Sequence, residues 1–136
     1  MKLKKTDVWL MAGTVLVCLV DIWQQLGGEG QMNSGFGWGL PFSLGWQGEM
    51  GSWLIWVGLL VIGWLIYWWV KSEKRWEKMG LWWLILGGVA NWWVRFWRGG
   101  VVDYICLVGL CLNLADILIT GGFLLVVKEN WWKKEK

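Results

Sequence analysis

Residues 86–116, LGGVANWWVRFWRGGVVDYICLVGLCLNLAD, place charged and amide side chains at one end of strongly apolar segments. The two carboxylates in this stretch are Asp103 and Asp116. A carboxylate at the centre of a membrane helix costs roughly 2.5 to 3.5 kcal/mol on insertion scales, so residues of this kind usually mark functional sites. We therefore expect the two aspartates to form the functional centre of the chain.

The composition around this stretch is that of a membrane protein. The chain has 136 residues, of which 57% are hydrophobic, with 17 Trp, 20 Gly and no His. Four apolar runs approach the roughly 20 residues that a helix needs to cross a bilayer core of about 30 Å. They are residues 8–26, 53–70, 81–97 and 110–127. We predict an all-α membrane protein with four transmembrane helices in one polytopic domain, residues 1–136.

The basic residues predict how the helices are oriented. Eleven of the thirteen Lys and Arg residues lie before the first run, between the second and third, or after the last. Only Arg95 and Arg98 lie on the other side, which places both termini in the cytoplasm. The outer loop, residues 27–52, contains nine glycines and is expected to be irregular or short β structure. Residues 71–78, KSEKRWEK, are expected to form a solvated cytoplasmic turn.

Composition also narrows the chemistry. The absence of His excludes Ser–His and Cys–His nucleophile pairs and HExxH zinc sites. A Ser–Lys pair on the outer face is excluded as well, because the predicted topology puts every lysine inside. Cys18, Cys106 and Cys111 lack the paired spacing of a metal site and are expected to be buried free thiols. We expect no metal and no cofactor, which leaves acid–base chemistry by carboxylates.

Asp103 and Asp116 are 13 residues apart and would lie about 20 Å apart on opposite faces of one continuous helix. They meet if the chain leaves the third helix near Arg98, turns at Gly99 and Gly100, and re-enters the membrane at about residue 110. Asp116 then lies in the second turn of the last helix. Two carboxylates about 5 Å apart repel by roughly 3 kcal/mol at an effective dielectric constant of 20. One is then ionised and the other protonated, as in aspartic proteases.

Four other polar residues have an expected role, and three of them have a structural interpretation beside the functional one. Asn113, three residues before Asp116 on the predicted helix, is placed to orient its carboxylate. Asn91 either bridges helices or donates a hydrogen bond to a catalytic carboxylate. Arg95 is either an interfacial anchor or part of the site. Asp21 either meets lipid headgroups at a helix end or holds the outer loops in place.

These segments resemble the lipoprotein signal peptidase (signal peptidase II) family. That family carries Asn-x-x-Asp-Arg, Val-Val-Asp-Phe and Asn-x-Ala-Asp segments, and here they appear as NWWVR (91–95), VVDY (101–104) and NLAD (113–116). NSGFGWG (33–39) is similar to its Asn-x-Gly-x-x-Phe loop, and DIWQQ (21–25) to its Asp-Gln-x-Thr-Lys segment. The chain departs from the family at Val94, Gln25 and Ile117, which replace Asp, Lys and Ser.

The resemblance implies an intramembrane aspartic peptidase of the bacterial inner membrane, with its active site on the extracytoplasmic side. Its substrate would be the signal peptide of a prolipoprotein, cut just before a diacylglyceryl-modified cysteine. The implied partners are this peptide and membrane lipid, with no nucleic acid, and the protein is expected to be a monomer. The implied catalytic pair is Asp103 and Asp116, and the implied support or substrate-binding residues are Asp21, Asn33, Gly35, Asn91, Arg95, Asn113 and Ala115.

Two other functions are compatible with the sequence. The first is a catalytically silent relative that only binds lipidated signal peptides. This alternative is motivated by Val94, which replaces the family's Asp. A small four-helix transporter is the other alternative. It would be expected to place its carboxylates near the membrane midplane, whereas Asp21, Asp103 and Asp116 are predicted to gather in the outer half.

Overall fold

The computed structural model describes residues 4–27, 31–33, 50–107 and 110–131. This part of the chain is mostly helical, as predicted. The helices are α1 (Lys5–Gly27), α2 (Met50–Lys71), α3 (Arg75–Arg98) and α4 (Leu114–Trp131). The strands, of three residues each, are β1 (Gln31–Asn33), β2 (Val101–Asp103), β3 (Ile105–Leu107) and β4 (Leu110–Leu112). Most of the glycine-rich outer loop lies outside the described residues.

The start of α3 differs from the prediction, because the expected turn over residues 71–78 is helical from Arg75 onwards. Two polar contacts fix this early start. Arg75 donates hydrogen bonds to both carboxylate oxygens of Asp7 in α1. Glu77 accepts from the Ser72 hydroxyl at 2.5 Å and from the Asn130 amide at 2.8 Å. The charged residues that suggested a solvated turn therefore join α1, α3 and α4.

Helix α3 is the centre of the bundle and contacts each of the other three helices. Its closest neighbour is α4, where glycines let the two backbones touch. A Cβ atom added at Gly87 would lie 2.6 Å from the carbonyl oxygen of Ala115. One added at Gly122 would lie 2.6 Å from the carbonyl oxygen of Gly80. The first turn of α4 is therefore held directly against α3.

Helix α1 has a polar inward face, which we call the α1 stripe. Its buried residues recur at intervals of seven, four, three and four and therefore lie on one side of the helix. They are Asp7, Thr14, Cys18, Asp21 and Gln25. The exposed residues of α1 are mainly large and apolar, including Val8, Trp9, Leu10, Leu16 and Leu19. This polarity is the reverse of that of a helix packed on a soluble core, and it suits lipid surroundings.

Among the described residues, α1 is the one helix long and apolar enough to cross a membrane by length and composition. Residues Ile55–Lys71 within α2 form a shorter apolar helix. Helix α3 carries charged residues at both ends, with Glu77 in its first turn and Arg95 and Arg98 in its last. Polar residues at both ends shorten the apolar part of this helix.

Strands β2, β3 and β4 follow α3, and with β1 they form two small antiparallel sheets. Helix α3 ends at Arg98, and Gly99 follows as its C-cap, with a positive φ of 74° and an N–H that donates to the Arg95 carbonyl at 2.8 Å. Strand β2 then pairs with β1, and Asp103 is the partner of Gln31. Strands β3 and β4 pair as a hairpin, so the predicted helical re-entry at about residue 110 is wrong. The chain instead forms strand β4 there, and α4 begins at Leu114.

This hairpin also changes the interpretation of the cysteines. Cys106 and Cys111 are opposite partners in its register and form a disulfide. The prediction of buried free thiols is therefore wrong for these two residues, because it placed Cys111 in the last apolar run, residues 110–127, and did not anticipate that its segment pairs with that of Cys106. Cys18 is free and buried, as predicted.

Candidate active site

A polar cluster lies where α1 and α3 end and α4 begins. Each element contributes one or two side chains, of which half are buried and half are partly buried. Asp21, Gln25 and Asn113 have no exposed surface, and Asp103 is 3% exposed. We call this group the polar cluster: Asp21, Gln25, Asn91, Arg95, Asp103, Tyr104, Asn113 and Asp116.

Asn113 connects the two aspartates. Its side-chain Nδ2 donates to Asp103 Oδ1 at 3.0 Å, and its Oδ1 accepts from the backbone N–H of Asp116 at 2.9 Å. Its own backbone N–H points back to Asp116 Oδ2 at 3.4 Å. This reciprocal arrangement is a capping box at the start of α4. Asn113 thus precedes the helix, and Asp116 lies in the first turn of α4 instead of the second.

Helix α3 supplies two further contacts to the pair. Asn91 Nδ2 donates to Asp116 Oδ1 at 2.8 Å. The Arg95 guanidinium interacts electrostatically with both Asp103 and Asp116. An amide donor and a positive charge therefore face the carboxylates from one helix. The N–H groups at the start of α4 face Asp116 from its own helix, where a negative charge is favoured.

Asp21 is held by donors from three elements. Its Oδ2 accepts from Gln25 at 2.7 Å, and its Oδ1 accepts from the Tyr104 hydroxyl at 2.6 Å and from the Leu114 N–H at 3.0 Å. Gln25 also accepts from the Val102 N–H at 3.3 Å. Asp21 therefore fastens α1 to the start of α4 and to the segment after β2, and it does not face headgroups.

Gln25 and Tyr104 also belong to the site, although neither was predicted there from the sequence. Gln25 is four residues after Asp21 on the same helix face, which is a signal that could have identified it. For Tyr104 the sequence gives no comparable signal, because its contact depends on how the chain turns after β2. Burial, together with donation to Asp21, raises the pKa of Tyr104, so its hydroxyl remains a donor at neutral pH.

The other predicted site residues lie elsewhere or are not described. Ala115 is fully buried at the contact between α3 and α4 and adds no polar group to the cluster. Asn33 belongs to β1, where its backbone is the partner of Val101, so this strand lies beside β2. Gly35 lies outside the described residues. In the described ranges there is no group of three or more His, Cys, Asp or Glu residues that could hold a metal ion.

An apolar cavity lies at the same end of the bundle. Its volume is about 520 Å³, and it is lined by Leu26, Trp93, Trp97 and Arg98. Arg98 closes one side by donating to the backbone carbonyls of Gln25 and Leu26 at the end of α1. The cavity, with its two tryptophans and the Arg98 guanidinium, therefore lies close to the polar cluster both in sequence and in space.

Comparison with proteins of known sequence gives a consistent set of relatives. Three proteins named "Lipoprotein signal peptidase" match this chain. The one from Thermosynechococcus vestitus is 33% identical over 98 residues, which cover 68% of this chain and 61% of that protein. The one from a Cyanothece strain is 36% identical over 102 residues, which cover 68% of this chain and 56% of that protein. The one from Brucella ovis is 33% identical over 108 residues, covering 72% and 66%. The chain thus spans less than two thirds of the length of these relatives.

The fold is also found in a solved structure. That protein is described as a bacterial membrane enzyme, and it superposes with a TM-score of 0.75 at 16% identity. The match covers 95% of this chain and 89% of that one. At this level of identity the similarity shows a shared fold.

The sequence model of one family, described as signal peptidase (SPase) II, matches residues 29–132. This region is most of the chain and contains the polar residues from α3 and α4 that surround Asp103 and Asp116. With relatives at 33% to 36% identity over about two thirds of the chain, the match shows that the protein belongs to the signal peptidase II family.

Proposed function

We propose that the protein is an intramembrane aspartic endopeptidase that removes the signal peptide from diacylglyceryl-modified bacterial prolipoproteins. Asp103 and Asp116 are its catalytic pair. The observation that carries this assignment is Asn113, whose side chain binds the carboxylate of Asp103 and the backbone of Asp116. Family membership supports the substrate class.

In this mechanism the pair shares one proton. The ionised carboxylate takes a proton from a water molecule as the water oxygen bonds to the scissile carbonyl carbon. The protonated carboxylate gives its proton to the carbonyl oxygen, which avoids a free oxyanion. When the C–N bond breaks, the first carboxylate returns its proton to the leaving nitrogen. The second carboxylate takes a proton back from one hydroxyl of the tetrahedral intermediate, which becomes the new carboxyl group, so the pair again shares one proton. Asn91 and Arg95 limit the charge repulsion, because one donates to Asp116 and the other faces both carboxylates.

We further propose four membrane-spanning helices with both termini in the cytoplasm and the polar cluster on the extracytoplasmic side. The eleven-to-two distribution of basic residues favours this orientation. The Cys106–Cys111 disulfide supports it independently, because disulfides form and persist outside the reducing cytoplasm. The cavity lined by Trp93 and Trp97 is suited by its apolar surface to hold acyl chains of the substrate or of lipid.

The test is cleavage of a diacylglyceryl-modified prolipoprotein peptide by purified protein, with Asp103→Asn and Asp116→Asn in parallel. We expect cutting just before the lipidated cysteine. Each substitution should lower kcat by about 10²- to 10⁴-fold, the usual contribution of general acid–base catalysis. Asp7→Asn is the matched control, because Asp7 is also buried but binds Arg75 at the opposite end of the bundle.

The outcomes separate the alternatives. Val94 is fully buried in α3 and brings no charge to the site. A parent protein that binds the peptide but does not cut it would be a silent relative. Proton-coupled uptake of a solute into proteoliposomes, without cutting, would instead indicate a transporter. Cutting that survives either active-site substitution would remove Asp103 and Asp116 from the catalytic role.

A further inference from the structure

The β3–β4 hairpin connects the two proposed catalytic residues. Asp103 and Tyr104 lead into β3, and Asn113 follows β4 directly. The strands pair with Ile105 opposite Leu112, at the end of the hairpin nearest the site. The hydrogen bond from Asn113 to Asp103 crosses from one side of the hairpin to the other, just beyond this pair. The spacing of the two strands therefore controls the spacing of the polar groups.

The hairpin is small. It has two strands of three residues, and an isolated two-stranded hairpin is at best marginally stable in water. The side chains of Cys106 and Leu107 are exposed, so this part of the hairpin is not packed against the helices. The disulfide joins Cys106 to Cys111 at the central pair of the register. It is a covalent cross-link between the two strands.

We propose that the Cys106–Cys111 disulfide positions Asp103 against Asn113 and Asp116, so that peptide cleavage requires the oxidised chain. The two cysteines are positioning residues that act through the hairpin. This inference rests on the proposed function, because it concerns the rate of the same reaction. It makes the enzyme dependent on the thiol–disulfide balance of the extracytoplasmic compartment.

The redox step needs a dithiol reductant. A dithiol attacks the disulfide, and two electrons and two protons pass to the cysteine sulfurs. The S–S bond of the hairpin breaks, two thiols form, and the reductant leaves as its own disulfide. The reaction is reversible, because an oxidised dithiol in excess re-forms the bond. Cys18 takes no part, since it is a buried free thiol in α1.

The experiment measures kcat and KM for the diacylglyceryl-modified peptide before reduction with dithiothreitol, after it, and after reoxidation. We expect reduction to lower kcat of the parent by about 10- to 100-fold, because a misplacement of about 1 Å can cost up to 10²-fold. KM should change little, and reoxidation should restore the rate. A Cys106→Ser/Cys111→Ser double variant should have the low rate under all three conditions. Cys18→Ser is the control and should respond as the parent does.

Maleimide labelling verifies that two thiols have appeared, and circular dichroism verifies that the reduced protein remains helical. A reduced and helical parent that cuts at the oxidised rate would overturn the inference and leave the proposed function intact. An oxidised parent that cuts nothing would overturn both. Should the double variant fail to fold, reduction of the folded parent gives the same comparison.

Discussion

Asp21 shows how much of the site depends on a residue outside the proposed catalytic pair. It is fully buried, and it accepts hydrogen bonds from α1, from Tyr104 and from the first N–H of α4. A negative charge at this position is stabilised by the N-terminal end of the helix. Asp21 therefore connects the element that carries Asp116 with the segment that carries Asp103.

Tyr104→Phe removes one donor from Asp21 and changes little else in shape. We expect the variant to unfold at a lower temperature. Its free energy of unfolding should fall by about 1 to 3 kcal/mol, the contribution of a hydrogen bond to a charged group. The difference should depend on pH. Because the folded pKa of Tyr104 is raised, its contribution is fully present below the unfolded value of about 10 and is lost as pH rises through the folded pKa.

Thermal unfolding in detergent between about pH 7 and pH 11 checks this, with the unfolded tyrosine pKa near 10 as the reference. Tyr67→Phe is the control, because Tyr67 is 62% exposed on α2. The difference in the free energy of unfolding between the parent and Tyr104→Phe should become smaller above about pH 10. A difference that stays constant or grows would contradict this role of the Tyr104 hydroxyl.

The polar residues of the site could be predicted from the sequence more easily than their hydrogen-bond partners could. Asp103, Asp116, Asn113 and Asn91 stand out because amides and carboxylates are costly in apolar segments. Which oxygen accepts from which donor depends on the hairpin, and nothing in the local sequence specifies it. The same limit explains the wrong prediction for Cys106, whose partner is determined by strand register.

At the level of elements, the contact between α3 and α4 fixes the position of Asp116. Gly87 lies against the carbonyl oxygen of Ala115, the residue before Asp116. There is no room at this point for even one methyl group. The position of the first turn of α4 is therefore determined by a backbone contact, which side-chain rotation cannot relieve.

Gly87→Ala should push the start of α4 away from α3. We expect a loss of roughly 1 to 3 kcal/mol in the free energy of unfolding, typical of overpacking, together with a lower kcat. Gly63→Ala in α2 is the matched control, because a Cβ there meets nothing within 4 Å. It should be neutral or stabilising by up to about 1 kcal/mol. Equal melting temperatures for the two variants would contradict this role of Gly87.

The helices could be predicted from the sequence, whereas the strands after α3 could not. Long apolar runs indicate helices, and the first three runs lie within α1, α2 and α3. Strands of three residues are too short to show an alternating pattern, and residues 101–112 are nearly all apolar. The two strands of the hairpin pair because the end of α3 and the start of α4, between which they lie, are held close together.

At the scale of the whole molecule, polar contacts occupy both ends of the bundle. One end carries the polar cluster, and the other joins Asp7 to Arg75 and Glu77 to Asn130. Between them lie apolar core residues such as Leu81 and Ile85. This layout fits a helical bundle with one end at each face of a bilayer.

The proposed orientation predicts which positions a membrane-impermeant maleimide can reach. Trp97→Cys, at the outer end of α3, should be labelled in intact spheroplasts, whereas Glu73→Cys, between α2 and α3, should need permeabilisation. Both positions are exposed on the protein surface. The parent is the background control, since Cys18 is buried and the other two cysteines are paired. Labelling of Glu73→Cys from outside would contradict the topology.

The α1 stripe has a consequence for how the protein is made. The donor to Asp7 from α3, Arg75, is synthesised 68 residues later, and the donor to Asp21 from α4, Leu114, is synthesised 93 residues later. At a synthesis rate of about 5 to 20 residues per second, the second interval lasts about 5 to 19 s. During that time Asp21 has Gln25 of its own helix as a donor but lacks Tyr104 and the Leu114 N–H, in a setting where lipid provides none. Of the four helices, α1 therefore depends most on shelter by the insertion machinery until α4 emerges from the ribosome.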